Sequence, residues 1–502
     1  MKRFTLALVV AMVLGFAALA AAATEVKMTG DARIWGNYWD NVNYTGWNAA
    51  GTKTYDAMTI WERFRLRTDF IANEGLKFRL GIRVNNQPWG YGTFTVDNPA
   101  VVIDVYQAFV QFKWPNTDIE FTIGLQDMDL PISSSALFNS SPVLGGTRAA
   151  AAVVSIPVVD QFKVVTGFSR LLDANNGFQA NTTATNDDLD AYFLVLPVTL
   201  EGFSATPWGV IGVAGSEGDY NISTGGNSPH LGNVTLVNSA FSAGTALGAG
   251  PAAVTGFNAA GQLINASAYF KNATNVFWWA GSAFALTALD PFKFYADVMY
   301  GDGCVTDSKK NQRKGWFFDI GAEYTGFDIL TPQVAFWWST GEDGSTRNGS
   351  ERMPMVVPNW GPSNSFLFDG AQAFGGASMT TDPVGNWGFE ASLNKISFLQ
   401  DLTHRLTFTY VHGNNSATAL RNANALWGVG NYVSMGRDLT TNEYSMGVNF
   451  DNQYNIYENL ALIVETGWAH GDFQKSVWGR RFVNQANNGD SWKVAFGLQY
   501  KF

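Results

Sequence analysis

The chain has 502 residues, 46% hydrophobic and 15% charged, with a mean hydropathy of −0.04. Its apolar residues are therefore dispersed rather than gathered into runs of the roughly 18 that a membrane helix needs, which excludes a helical membrane bundle beyond the first residues. The net charge of −10 lacks the basic footprint of a nucleic-acid binder, and a lone cysteine, Cys304, excludes an intramolecular disulfide and a Cys-based zinc site. Abundant Gly (52), Phe (37), Trp (18) and Tyr (17) beside only 16 Pro fit a large β protein.

The first element is an export signal. Lys2 and Arg3 precede an apolar stretch from Phe4 to Leu19, and Ala20 to Ala23 offer small-residue cleavage sites before Thr24. Residues 1–23 are thus expected to be removed, leaving 24–502 as one domain with a net charge of −12, since Lys2 and Arg3 are the only charges lost.

After that the chain alternates. Ile60, Phe64, Leu66 and Phe70 are followed, across Asn73-Glu74-Gly75, by Leu76, Phe78, Leu80, Ile82 and Val84, which reads as a hairpin. Similar pairs flank 115–118, 159–161, 199–202, 290–291, 325–326, 399–403 and 455–459. Between the pairs lie nine longer connections rich in Gly, Asn, Ser and Thr, near 40–58, 86–101, 127–149, 172–188, 215–274, 301–312, 339–386, 414–442 and 471–490. Eight short turns and nine long loops separate eighteen strands; without the two weakest segments, near 150–158 and 204–214, the count is sixteen. The segment 215–274 reads as a loop with room for a small hairpin of its own.

The last strand carries the strongest pattern. Trp492, Val494, Phe496, Leu498, Tyr500 and Phe502 fall on one face; Lys493, Ala495, Gly497, Gln499 and Lys501 fall on the other. A soluble sandwich edge shares this alternation. Short turns on one side, long loops on the other and an even strand number instead match an all-β, transmembrane antiparallel barrel with lipid outside and water inside. Aromatics near strand ends suit two interfacial belts: Trp35, Tyr38, Trp39, Trp61, Trp337, Trp338, Trp387, Trp468 and Trp492 toward the long loops, and Trp114, Tyr324, Tyr454, Tyr457, Tyr500 and Phe502 toward the short turns.

The signal MKRFTLALVV, the start EVKMTGDARIWGNYW, the pair WERFRLRTDF and LKFRLGIRV, and the closing FGLQYKF together resemble the Desulfovibrio-type outer-membrane homotrimeric porins over nearly the whole chain. The resemblance implies a homotrimer in outer-membrane lipid, with each barrel a general-diffusion channel for small hydrophilic solutes. Trimerisation rests on the resemblance alone.

Alternation assigns the lumen. If even positions of the strand near 59–73 face lipid, Arg63, Arg65 and Arg67 face inward, followed by Lys77, Arg79 and Arg83 on the next strand and Lys27 and Arg33 on the first. Closure of the barrel brings Lys493 and Lys501 beside them. This basic wall is expected to concentrate anions, although the same charges also simply keep a lumen wet. Inward acids elsewhere are scattered: Asp297, Asp319, Glu323, Glu390, Glu465 and Glu120. The loop 127–149 carries Leu130, Ile132, Leu137, Phe138, Val143 and Leu144, an apolar set that suits packing against an inner wall better than open water. Folded inward, it sets Asp127 and Asp129, with Glu120, as the acidic side of a constriction; the alternative is a loop on the outer surface.

Enzyme readings find little support. His230, His404, His412 and His470 lack metal-ligand spacing, and no HExxH, GxSxG or GxxxxGK[ST] is present. No cofactor is expected, apart from weak Ca²⁺ binding at the acidic turns Gly301-Asp302-Gly303 and Gly341-Glu342-Asp343-Gly344. The leading expectation is a passive, general-diffusion porin of the bacterial outer membrane with an anion-favouring wall. A substrate-specific channel and a plugged structural barrel remain the alternatives.

Overall fold

The computed structural model describes residues 24–41, 44, 57–90, 94–173, 188–215, 254–257, 263–265, 274–304, 312–345, 348, 350–356, 360–368, 374, 383–419, 421, 436, 438–486 and 489–502. The expected signal, residues 1–23, lies outside them.

The strands are β1 (Glu25–Asp40), β2 (Ala57–Asn73), β3 (Leu76–Pro88), β4 (Asp104–Lys113), β5 (Glu120–Met128), β6 (Thr147–Val159), β7 (Phe162–Asp173), β8 (Asp188–Val195), β9 (Val198–Leu200), β10 (Phe203–Gly215), β11 (Val254–Phe257), β12 (Leu263–Asn265), β13 (Thr274–Leu286), β14 (Phe292–Cys304), β15 (Gln312–Tyr324), β16 (Thr331–Ser339), β17 (Asn386–Leu399), β18 (Leu402–Gly413), β19 (Tyr444–Tyr457), β20 (Leu460–Asp472) and β21 (Ser491–Lys501). Two short helices, α1 (Lys475–Trp478) and α2 (Arg480–Ala486), lie between the last two strands.

Each strand pairs antiparallel with its neighbours in sequence, and β21 returns to pair with β1, Leu498 opposite Ile34. β8 and β9 are one wall strand, interrupted at Leu196-Pro197, where proline has no N–H for the ladder. β11 and β12 form a separate hairpin inside the 215–274 connection. The wall is therefore a closed antiparallel barrel of eighteen strands. The segments near 150–158 and 204–214 are both strands, β6 and β10, so the count of sixteen does not apply.

Closure removes the open edge that would expose unpaired backbone groups, which is what permits an exterior made of apolar side chains. On β21, Trp492, Val494, Phe496, Leu498 and Tyr500 are exposed while Ser491, Lys493, Ala495 and Gln499 are buried. Tyr38, Trp338, Trp387, Trp468 and Trp492 face outward as expected for a belt, with Trp387 stacked on His412 and Trp468 on His470. Trp35, Trp39 and Trp337 do not: they are buried, and partly buried Trp61 stacks against Trp35 at 6.4 Å. Their odd positions on β1, β2 and β16 put them on the inner face, so parity overrides proximity to a strand end.

Candidate functional site: the barrel lumen

Two long loops fold into the barrel. The first, residues 129–146, begins where β5 leaves the wall. Gly124 adopts φ +132, a conformation that favours glycine, and a Cβ there would strike the backbone of Ala108 and Phe109. Leu130, Leu137, Phe138, Val143 and Leu144 are all buried, as their apolar character requires. Leu137 lies over the inner face of Gly321 on β15, and Ser133 donates from its N–H (3.1 Å) and its Oγ (2.6 Å) to Asp297 on β14. The loop therefore crosses the lumen to the far wall and does not lie on the outer surface.

The second inner loop, described at residues 340–345, 348, 350–356, 360–368, 374 and 383–385, went unanticipated. Trp360 packs edge-on against Phe317 (5.0 Å) and Trp337 (5.3 Å), and its Nε1 donates to Asp319. Asn364 donates to Glu390 and Ser392, and its Oδ1 accepts from Arg405, so one residue ties together the inner faces of β17 and β18. Phe366 fills the space over Gly467 on β20, and Phe374 stacks on Trp35 of β1 at 5.5 Å. The loops also hold each other: Ser363 N–H donates to Leu137, Asn139 N–H to Gly361 and Val356 N–H to Val143. Together they pack on the inner faces of strands from β13 to β20, on β6, β8 and β10, and through Phe374 on β1. The signal was present in the apolar runs Met353 to Val357 and Phe366 to Phe368, which match the pattern that marked the first loop.

The arginines collect on the inner face of β1 to β3, where they keep partial exposure. Arg33, Arg63 and Arg65 surround one carboxylate, Asp31, at 3.2, 3.1 and 2.6 Å. The register sets Arg33 directly across from Arg63 and Arg65 across from Asp31, so the acid separates guanidiniums that would otherwise repel. Arg79 binds Asp69 through two bonds of 2.6 and 2.7 Å, and Arg83 binds Asp104 at 3.1 Å. Arg67 has no ion-pair partner among the described residues. Three arginines meet one acid at Asp31 and Arg67 follows two residues along β2, so the patch carries an excess of three positive charges, its paired arginines 15–24% exposed. Asp31 was missed, although its odd position on β1 puts it on the same face as Arg33.

The acidic side differs from expectation. Asp127 reaches the basic wall directly: it pairs with Arg148 at 2.8 Å and accepts from Gln107 at 2.7 Å, with no gap between acid and base. The Arg148 guanidinium in turn lies over the Tyr106 ring at 4.8 Å. Asp129 does not face the arginines, because its carboxylate accepts the N–H of Gly146 and closes the base of the loop. Glu120 is no part of a constriction: it sits at the short-turn end of β5, where Gln111 donates to it at 2.6 Å. Lys493 is buried and spent on Glu465 at 3.4 Å, so it adds little to the wall.

Among the described residues no group of three or more His, Cys, Asp or Glu is placed to hold a metal ion. Gly301, Asp302 and Gly303 are part of β14 rather than a turn, because the two glycines make room for the Trp279 and Phe277 rings of β13. Asp302 takes its hydrogen bonds from Gln312 and Tyr300. Glu342 is buried and accepts from Ser350, and Asp343 accepts from Ser345 and Asn348.

No protein-family model matches the chain, and no curated protein does. Among solved structures it is similar to Pseudomonas aeruginosa OccK3 (OpdO), at 10% identity over 96% of this chain and 97% of that one, with a TM-score of 0.49. It is also similar to Pseudomonas aeruginosa OccK11 (OpdR), at 9% identity over 95% and 96% with a TM-score of 0.48. A loop-deletion mutant of OmpT, an outer membrane protein of Vibrio cholerae, matches at 10% identity over 96% and 100% with a TM-score of 0.39.

Proposed function

We propose that this chain is a passive diffusion channel of the bacterial outer membrane, through which small hydrophilic solutes and ions pass down their gradients and anions pass more readily than cations. The observation that carries the reading is the cluster of Arg33, Arg63 and Arg65 on the single acid Asp31, with Arg67 two residues along β2, where the inner wall keeps partial exposure. A closed ladder with an apolar exterior supports the membrane setting, since among sheets a closed barrel is the form that satisfies its backbone internally while presenting apolar side chains to lipid. Fixed positive charge beside a water path raises the local concentration of anions and lowers that of cations. The resemblance to homotrimeric porins supports a trimeric assembly.

A substrate-specific channel is the second reading. It is favoured by the two inner loops, whose buried side chains fill much of the lumen and narrow the path beside the arginines. Liposome swelling separates the two: a general porin admits neutral sugars and anions of equal size at rates ordered by size, whereas a selective channel admits anions and nearly excludes the sugars. Liposomes that fail to swell with any small solute would refute both.

A further inference from the structure

The outer wall of the barrel is not evenly covered. Along the outward face of β17, from the long-loop end toward the short turn, stand Trp387, Phe389, Ala391 and Leu393. Register sets Ala391 between Val334 of β16 and Phe408 of β18. The row above it is Phe336, Phe389 and Tyr410, and the row below it holds Leu393 and Leu406. One methyl group among large side chains leaves a dent, and here the wall carries an apolar groove of about 400 Å³ across β16 to β19. The alternate residues Gln333, Ser392 and Thr407 are buried on the inner side, so the groove opens outward and not into the lumen.

Polar groups stand at its short-turn end. Two residues before Leu406, His404 pairs across the ladder with Ile396. Its Nδ1 is bonded to Asn452 at 2.6 Å and its ring stacks on Phe450 at 5.7 Å, while Nε2 has no partner among the described residues. Beside this pair the ladder slips, and Lys395, at φ +55, is exposed with no ion-pair partner among the described residues. Phe398 and Leu399, nearer the turn, are exposed as well, so the ammonium stands within an apolar band, where an uncompensated charge is costly.

We propose that this groove binds one anionic glycerophospholipid of the leaflet on the short-turn side, an acyl chain lying over Ala391 and the phosphate held by the Lys395 ammonium. His404, with Nδ1 donating to Asn452, keeps Nε2 as an acceptor for a headgroup hydroxyl. The order of groups matches one lipid molecule: chains of that leaflet run from the phosphate toward the bilayer centre, which is the direction from Lys395 to Ala391. The two lie four residues apart on β17, about 13 Å along the strand, within the roughly 15 Å of hydrocarbon that one leaflet supplies. The inference needs the lipid-facing wall but not the channel reading, so a barrel that conducts nothing still tests it.

The test is native mass spectrometry of the folded protein, delipidated in detergent and titrated with palmitoyl-oleoyl phosphatidylglycerol or phosphatidylcholine. One saturable phosphatidylglycerol adduct per chain is expected, bound about fivefold more tightly than phosphatidylcholine, the scale of one lysine at an anionic lipid surface. Lys395→Gln should erase that preference and keep the adduct. Ala391→Phe, which fills the dent on a face that already carries phenylalanine, should abolish the adduct for both lipids. Ala296→Phe makes the same change on the outward face of β14, between Phe284 and Ile320, and should leave binding intact. Adducts unchanged by Ala391→Phe would overturn the site, as would a phosphatidylglycerol preference that survives in Lys395→Gln. A wild-type oligomer that takes up no lipid and dissociates on Ala391→Phe would overturn it in favour of a second copy of the chain on this face.

Discussion

Replacing Arg63, Arg65 and Arg67 together by Ala removes three positive charges and leaves Arg33 paired with Asp31, so the local excess falls from three to zero. For an ion passing about 8 Å from each guanidinium in water, Coulomb's law gives about 0.5 kcal/mol per charge, which a Debye length of about 8 Å at 0.15 M salt reduces to about 0.2 kcal/mol. Three such charges amount to about 0.6 kcal/mol, favourable to an anion and unfavourable to a cation, so the selectivity gap is about 1.2 kcal/mol, or about sevenfold in the permeability ratio. At 1 M salt, where the Debye length is about 3 Å, the same charges change the ratio by less than about twofold. The assay is the reversal potential across a planar bilayer under a salt gradient, for wild type and triple variant, at both ionic strengths. An unchanged reversal potential at low salt in a folded variant refutes the basic wall, and an effect of equal size at both salts refutes its electrostatic origin.

The other predictions concern the loops. Leu137→Ala removes a fully buried side chain from the contact between the first inner loop and Gly321, at a cost of about 2–5 kcal/mol; open-channel current noise should rise while the barrel's melting temperature holds, and wild-type noise would contradict the anchoring. Deleting residues 132–142 should raise single-channel conductance, and an unaltered conductance would put that loop outside the ion path. Arg352 of the second inner loop and Asp438 of the β18–β19 connection form a buried ion pair of 2.9 Å, so Asp438→Asn should cost about 3–5 kcal/mol locally and speed proteolysis of these two connections, whereas cleavage at the wild-type rate would show the pair to be dispensable. Burial pushes the Glu342 carboxyl well above its ordinary value of 4.5, so the folded loop holds its proton more tightly than the unfolded chain does. Loop stability is then full below pH 4.5 and falls as pH rises toward the folded value; Glu342→Gln should flatten that decline in pH-dependent proteolysis, and an identical pH profile in the variant would refute it.

Much of the fold was legible because a barrel wall is a local code. Hairpin turns such as Asn73-Glu74-Gly75 and the alternation of Trp492 to Phe502 fix strand number and facing without any long-range information. The same parity placed Arg33, Arg63, Arg65 and Arg67 on the inner face, and applied to β1 it also reaches Asp31. Nearness to a strand end misled at Trp35, Trp39, Trp61 and Trp337, where the odd position was the better guide. Arg148 was out of reach, since strict alternation on β6 points it outward, and only the kink at Gly124, which carries Asp127 into the lumen, explains its approach to Tyr106. Contacts such as Ser133 with Asp297 and Phe374 with Trp35 join residues far apart in the chain, and nothing local specifies them. Apolar content did announce that 127–149 folds inward; the same reasoning applied to 353–368 announces the second inner loop.

The most direct test of the central claim is the single-channel reversal potential of the purified wild-type protein in a planar bilayer with a tenfold KCl gradient. Stable, ohmic conductance steps with a reversal potential displaced toward that of chloride are predicted. A folded barrel that conducts no current, or one whose potential is displaced toward that of potassium, would contradict the account.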